Sequence, residues 1–406
     1  MKSKMKKTAA QILALILSCT VLFGLTACGG SAADVDALNA QNETLTKQLN
    51  DANAEISDLE AEIARLKSLM DGSSDELLAE IAKLEALEEE LRNCLKGIHA
   101  FSGSTCTTCG ADRGYRRDDN FIYFGEYPQT LKADDVTITS TTDSHGYYLG
   151  SDGNYYAMVT ADPYVDNMAA DRTSKSTFST GASVVEGTVY YFKVEPIRWR
   201  ILKEENGEAL LLCDSIIANM LYQTDYSYET SAGGYCTTSN GAPSGTYANN
   251  YKYSTVRAWL NETFYKAAFT SPQQGIVLTT DVDNGVASAS PYGVNWNGGT
   301  NHYVCENTSD KLFLLSELEA TNEAYGFASY ITSDTARGMS TSDYSRATGA
   351  YMNTSDYHGN GWWWTRSPYY QESRTACLIS DDGRALFPDD VAYYGVGVVP
   401  ALRIKL

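Results

Sequence analysis

From Leu38 the chain repeats itself. Leu38, Leu45, Leu49, Ala52, Ile56, Leu59, Ile63, Leu66 and Met70 fall at steps of four and three, with Asn42 filling the one polar place in the series. Asn42, Leu49, Ile56, Ile63 and Met70 are then the a positions of a heptad, and Leu38, Leu45, Ala52, Leu59 and Leu66 the d positions. Ile at a with Leu at d favours two strands, and a single buried Asn at a fixes register. The spacing predicts a coiled-coil stalk over residues 38–95 with a break at 71–74. There Gly72 stops one helix, and Ser73 with Glu76 has capping-box spacing for the next. Leu77, Ile81, Leu84, Leu91 and Leu95 stripe the second helix. Two arrangements fit: an antiparallel hairpin within one chain, or a kinked rod paired with a second copy as a homodimer. A straight rod over 38–95 would reach about 85 Å, and its plain reading is a spacer.

Beyond residue 114 the period changes. Short β-branched or aromatic runs recur, bounded by Gly, Asn, Asp and Pro: "NFIYFGEYPQ", "GTVYYFKVEPIRWRIL", "EALLLCDSIIA", "GIVLTTDV", "KLFLLS", "ACLISDDGRALF" and "VVPALRIKL". Helix signals are few. Val256, Leu260, Phe264 and Ala268 share one face behind a Ser254 cap, and a short helix follows Ser316. The pattern predicts an α+β globular domain over 119–406. "GWWWTRSPYY" at 361–370 alternates badly for a half-buried strand and carries too much aromatic area for an ordinary loop.

Composition sharpens the boundary. Every tyrosine, tryptophan and proline lies at Tyr115 or later, so the first 114 residues build no aromatic core. The net charge of −20 argues against nucleic acid, whose phosphates need clustered Lys and Arg.

The first 27 residues have a basic start, "MKSKMKK", and a short apolar run, the build of a secretory signal rather than a membrane span. Leu25-Thr26-Ala27-Cys28 resembles the lipobox of bacterial lipoproteins. The resemblance implies cleavage before Cys28, lipid on that residue, and a linker over 28–37. The body would stand on the extracellular side of the bacterial cytoplasmic membrane, with that membrane as a partner through its lipid anchor. Cleavage removes four lysines and no acid, taking the charge from −20 to −24.

Between stalk and domain, residues 94–115 hold Cys94, His99, Cys106 and Cys109. Cys-x₂-Cys with a further Cys and His supplies four soft ligands for tetrahedral zinc. Cys106, Cys109 and Gly110 resemble a zinc knuckle, so a structural zinc is expected. A disulfide within the set and free thiols are the alternatives. Cys213, Cys236, Cys305 and Cys377 are scattered and either pair or stand as buried thiols.

"FGEYPQT", "EPIRWRIL", "LLLCDSII", "STVRAWLNETFYKAAF", "DKLFLLSELE", "WWWTRSP" and "GVGVVPALRIKL" occur in that order over 119–406. Together they resemble a domain of unknown function common in lipoproteins and secreted proteins of Gram-positive gut bacteria. The last third is similar to the C-type-lectin and sulfatase-modifying-factor architecture. That resemblance implies that an aromatic strand, a strand–Asp-Gly–strand hairpin and the closing strand build one sheet. It implies core positions for Trp362 to Trp364, and bonds from Arg366 to backbone carbonyls of neighbouring loops.

Tyr369, Tyr370, Leu386, Phe387, Tyr393 and Tyr394 fall in connections beside those strands, where a core does not demand aromatics. Exposed aromatics are enriched in binding surfaces. These six are the candidate ligand-binding residues, for an extracellular protein or glycan. A retroelement-diversified receptor is a variant of that reading. A formylglycine-generating enzyme is an alternative, but it implies paired cysteines near the C-terminal strands, where Cys377 stands alone. A purely structural surface protein is a third reading. No Ser/His/Asp order, H-E-x-x-H or P-loop occurs, so no catalytic residue is assigned.

Overall fold

The heptad positions and the strand runs become two separate compact units, residues 1–118 and 119–406, in a computed structural model of the protein. The described residues are 46–47, 54, 56–65, 75–95, 101–102, 105–109, 114–166, 173–229, 233–236, 241–289, 300–329, 331–385 and 387–406. The signal segment, Cys28, the linker, most of the heptad series, the break at 71–74, His99 and Leu386 lie outside them.

In the first unit, residues 56–65 are helical, and a second helix runs over Asp75–Leu95. Along 56–65 the covered positions are Ile56, Leu59, Glu62 and Ile63, so the a/d stripe is the inner face. Ile63 and Ile81 are buried within one chain. An ion pair joins Arg92 to Glu60, and Arg92 Nε also donates to Glu88 at 2.8 Å. Thirty-two residues separate Glu60 from Arg92, which in one straight helix is about 48 Å. Their contact therefore requires the second helix to lie back along the first, as a hairpin within the chain.

The second unit, residues 119–406, is mostly strand with few helices. Its large antiparallel sheet is centred on Val189–Glu205, which pairs with Phe121–Leu131, Tyr155–Thr160 and Glu208–Cys213. Tyr148–Gly150 and Ile138–Thr142 extend it on one side. On the other, Ala401–Lys405 pairs with Glu208–Cys213 and with both Val277–Leu278 and Leu312–Phe313. Gly125 explains the turn in "FGEYPQ": its φ is +69°, and a Cβ there would meet the Phe269 ring at 2.5 Å. The register slips beside it, between Tyr123 and Glu126. Trp199 is fully buried and donates its indole N–H to the Phe124 carbonyl at 2.7 Å.

A second sheet runs Ala218–Asn219, Gly397–Val398, Trp363–Pro368, Thr375–Ile379, Phe387–Asp390. Every residue of Trp363–Pro368 and of Thr375–Ile379 is buried. A strand covered on both faces has no reason to alternate, which accounts for the aperiodic "WWTRSP". The closing stretch departs from the expected single sheet. Gly397–Val398 joins the aromatic strand, with Gly397 level with Trp363, while Ala401–Lys405 joins the large sheet. The division falls at Val399-Pro400. Pro400 has no N–H for a ladder, and its carbonyl accepts from Cys213 N at 2.9 Å.

The helical stretch from Thr255 to Ala268 begins at Ser254, whose hydroxyl accepts from Arg257 N, and buries Val256, Leu260, Phe264 and Ala268. Ser316 and Glu319 form a capping box at the start of Glu317–Ala320. Arg366 donates to the carbonyls of Leu314 and Asp283 at 2.8 and 3.0 Å and pairs with Glu319.

Candidate functional site

In the first unit, Cys94 comes from the last turn of its helix, and Cys106 from a two-strand hairpin in which Phe101 faces Cys106. Cys109 follows one turn later. All three are buried, with Leu91 packed against them, and Thr108 Oγ1 fixes the turn by donating to Glu90 at 2.9 Å. The three sulfurs lie within 4.8 Å of one another, and Cys94 and Cys106 are 3.6 Å apart. A tetrahedral zinc with bonds of about 2.3 Å sets its sulfurs roughly 3.8 Å apart, so the cluster has the dimensions of a metal site. Burial, then the neighbouring thiols, push the Cys94 thiol above its ordinary range. Three sulfurs packed dry are costly to ionise unless a cation takes up their charge. Three ligands of the proposed four are thus convergent; the fourth, His99, is outside the described residues.

In the second unit the run Trp362 to Trp364 divides. Trp363 and Trp364 are fully buried, their indole N–H groups donating to the carbonyls of Arg337 at 3.0 Å and Met220 at 2.9 Å. Trp362, expected in the core with them, is only half-buried. It precedes the covered strand and lies against Tyr351, ring on ring, with centroids 3.7 Å apart. Tyr164 stands edge-on to both, at 5.4 and 6.1 Å. Tyr393 is 5.9 Å from Trp362, and Tyr394 lies nearly parallel to Tyr164 at 6.5 Å. These five rings form one aromatic face, half-buried apart from Tyr394, which is 37 % exposed.

The face rests on glycine at two points. A Cβ on Gly395 would meet the Tyr164 ring at 2.6 Å, and one on Gly349 the Tyr394 hydroxyl at 2.1 Å; both glycines have φ of +109°. Asp381 forms the polar rim. Its carboxylate accepts from the Tyr351 hydroxyl at 3.3 Å, from Asn353 Nδ2 and from Asp382 N.

Of the six proposed ligand-binding positions, the five described ones do not form one patch, and Leu386 lies outside the described residues. Tyr393 and Tyr394 belong to the face around Trp362. Tyr369 and Tyr370 pack on each other at 4.8 Å beyond the other end of Trp363–Pro368, a strand of about 20 Å. Phe387 is exposed on the edge strand, paired with Leu378. Tyr164, Tyr351, Trp362 and Asp381 were absent from the sequence-based set. Tyr164 and Tyr351 sit alone in polar loops; Tyr164 reaches Trp362 only through long-range folding, and Tyr351 through a loop that returns to it within 11 residues.

All seven cysteines among the described residues are free. Cys377 is buried in Thr375–Ile379, and burial pushes its thiol well above the ordinary range. Cys305 is also raised by burial. Neither has the environment of an activated nucleophile. Residues 380–383 form a turn, with Gly383 N donating to Ser380 O at 2.9 Å. Among the described residues no helix is long and apolar enough to cross a membrane.

Residues 206–406 match the model of a family described as Domain of unknown function (DUF6273). The match begins after Phe121–Leu131 and Val189–Glu205, so it is narrower than the span over which the ordered motifs run. No curated protein and no solved structure matches the chain.

Proposed function

We propose that the chain is a lipid-anchored cell-surface protein, held through Cys28, whose stalk presents a C-type-lectin-like domain to an extracellular protein or glycan. The supporting observation is the aromatic face of Tyr164, Tyr351, Trp362, Tyr393 and Tyr394. Tyrosine and tryptophan left half-covered on a rigid strand end supply large contact area at low entropic cost. Among the described residues no complete catalytic constellation stands beside that face. Within the same proposal the cysteine cluster, with His99, holds a structural zinc that orders the segment after the stalk. The sulfur spacing of 3.6 Å supports it.

The test is direct binding of the full chain to a glycan array and to purified cell-envelope polymers, beside a Tyr393→Ser, Tyr394→Ser double variant. Binding by the parent chain that falls at least about tenfold in the variant, with the variant still folded by near-ultraviolet circular dichroism, is the expected result. Equal binding by both chains would move the site away from this face.

A further inference from the structure

The tyrosines around Trp362 spend their hydroxyls on the protein itself. Tyr351 bonds Asp381, Tyr164 and Tyr393 bond each other at 3.2 Å, and Tyr394 donates to the Asp162 carbonyl at 2.8 Å. What the cluster offers a ligand is ring surface rather than hydroxyl donors.

The principal charges acting on those rings are carboxylates. Burial first, then Asp381 and more weakly Asp166, push the Tyr351 hydroxyl up to about 12. Burial and then Asp162 raise Tyr394, and Asp166 contributes to the rise at Tyr164 after burial and the Tyr393 bond. The burial that raises these hydroxyls most disfavours any charge, but the carboxylates of Asp381, Asp162 and Asp166 beside the rings favour a cation there. Among the described residues no lysine or arginine pairs with Asp381. Its oxygens instead receive Tyr351, Asn353 and the Asp382 N–H. A primary ammonium, which seeks hydrogen-bond acceptors, would compete with those donors. A quaternary ammonium seeks none; it needs aromatic surface and negative charge nearby.

We propose that the face of Trp362, Tyr351, Tyr164, Tyr393 and Tyr394, with Asp381 at its rim, binds the quaternary ammonium group of a choline-type ligand. The inference rests on the reading of this face as a binding surface and names the chemistry the surface selects.

Choline chloride and its uncharged isostere 3,3-dimethylbutan-1-ol are titrated into the full chain, followed by calorimetry and tryptophan fluorescence, with methyl α-glucoside as a third probe. Choline should bind at least about tenfold more tightly than the isostere. Asp381→Asn should weaken choline several-fold and leave the isostere unchanged. Trp362→Leu should abolish choline binding, and Trp362→Phe should retain part of it, with all three variants keeping the parent near-ultraviolet circular dichroism. Should a variant fail to fold, Tyr394→Ser at the exposed rim replaces it, with a several-fold loss expected. Equal affinity for choline and isostere, no choline binding, or choline binding that survives Trp362→Leu overturns the proposal. Methyl glucoside binding lost in Trp362→Leu, with no choline binding, overturns this inference while the binding-face reading stands.

Discussion

Replacing Trp363 by alanine tests the division of the three-tryptophan run. Trp363 is fully buried, and a tryptophan of that kind removes about 200 Å² from water, worth roughly 5 kcal/mol at 25 cal/mol per Å². Measured losses for such truncations are about 3–5 kcal/mol. The variant also leaves the buried Arg337 carbonyl without its indole donor at 3.0 Å, adding about 1 kcal/mol. The expected total is about 4–6 kcal/mol, a large part of a domain's whole stability. Trp362→Ala removes a half-buried ring whose closest ring partner is Tyr351 at 3.7 Å, and about 1–2 kcal/mol is expected. The assay is urea unfolding followed in the near-ultraviolet, where the tyrosine- and tryptophan-free stretch before Tyr115 is nearly silent. Trp363→Phe serves as a milder variant if the alanine form does not fold. Equal losses at the two positions, or a greater loss at Trp362, would refute the assignment of one tryptophan to a surface and its neighbour to the core.

Three further outcomes are expected. Protein purified under reducing conditions should carry about one zinc per chain, and Cys106→Ser should lose it while residues 119–406 stay folded; less than roughly a third of an equivalent in the parent, with Cys106 and Cys109 oxidised, would argue for a disulfide. Cys28→Ser should release the protein from the membrane fraction of its host, and a variant that still sediments with membranes would remove the lipid anchor from the proposal. Burial pushes the Cys213 thiol up to about 12, and Cys377 is also raised. The folded chain therefore keeps protons that the unfolded chain releases near its ordinary thiol range. Stability should be full below about pH 8.5 and fall as pH rises towards 12, by up to ~1.4 kcal/mol per unit for each thiol. Urea midpoints at about pH 8 and pH 10 check the sign, and an unchanged midpoint would contradict it.

Local pattern carried the elements whose causes are local. The a/d stripe at Ile56, Leu59 and Ile63, the Ser254 cap and the Ser316–Glu319 box are set by residues three and four apart, and the structure has each of them. Which of the two helix arrangements the chain adopts was not legible, because it depends on Arg92 meeting Glu60, 32 residues away. The aromatic face was half legible. Tyr393 and Tyr394 stand out as aromatics in a connection, but Tyr164 reaches Tyr393 across 229 residues, and Tyr351 reaches Asp381 across 30 and Trp362 through ring packing. Trp362 was misread because three identical side chains in a row do not reveal where the covered strand begins.

The path of the last ten residues bears on when the domain can fold. Gly397–Val398 lies between two strands of one sheet, and Ala401–Lys405 lies inside the other. Neither sheet is complete until residues 397–405 are present, and their partners reach back as far as Glu208. Pairings of such long sequence separation form late and slowly. The second unit therefore stays unfinished until residue 405 has left the ribosome. For a protein proposed to cross a membrane before it folds, that delay keeps the polypeptide threadable, and residues 397–405 act as the closing stitch once they arrive outside. Deletion of residues 397–406 should open both sheets at once rather than yield a slightly smaller domain.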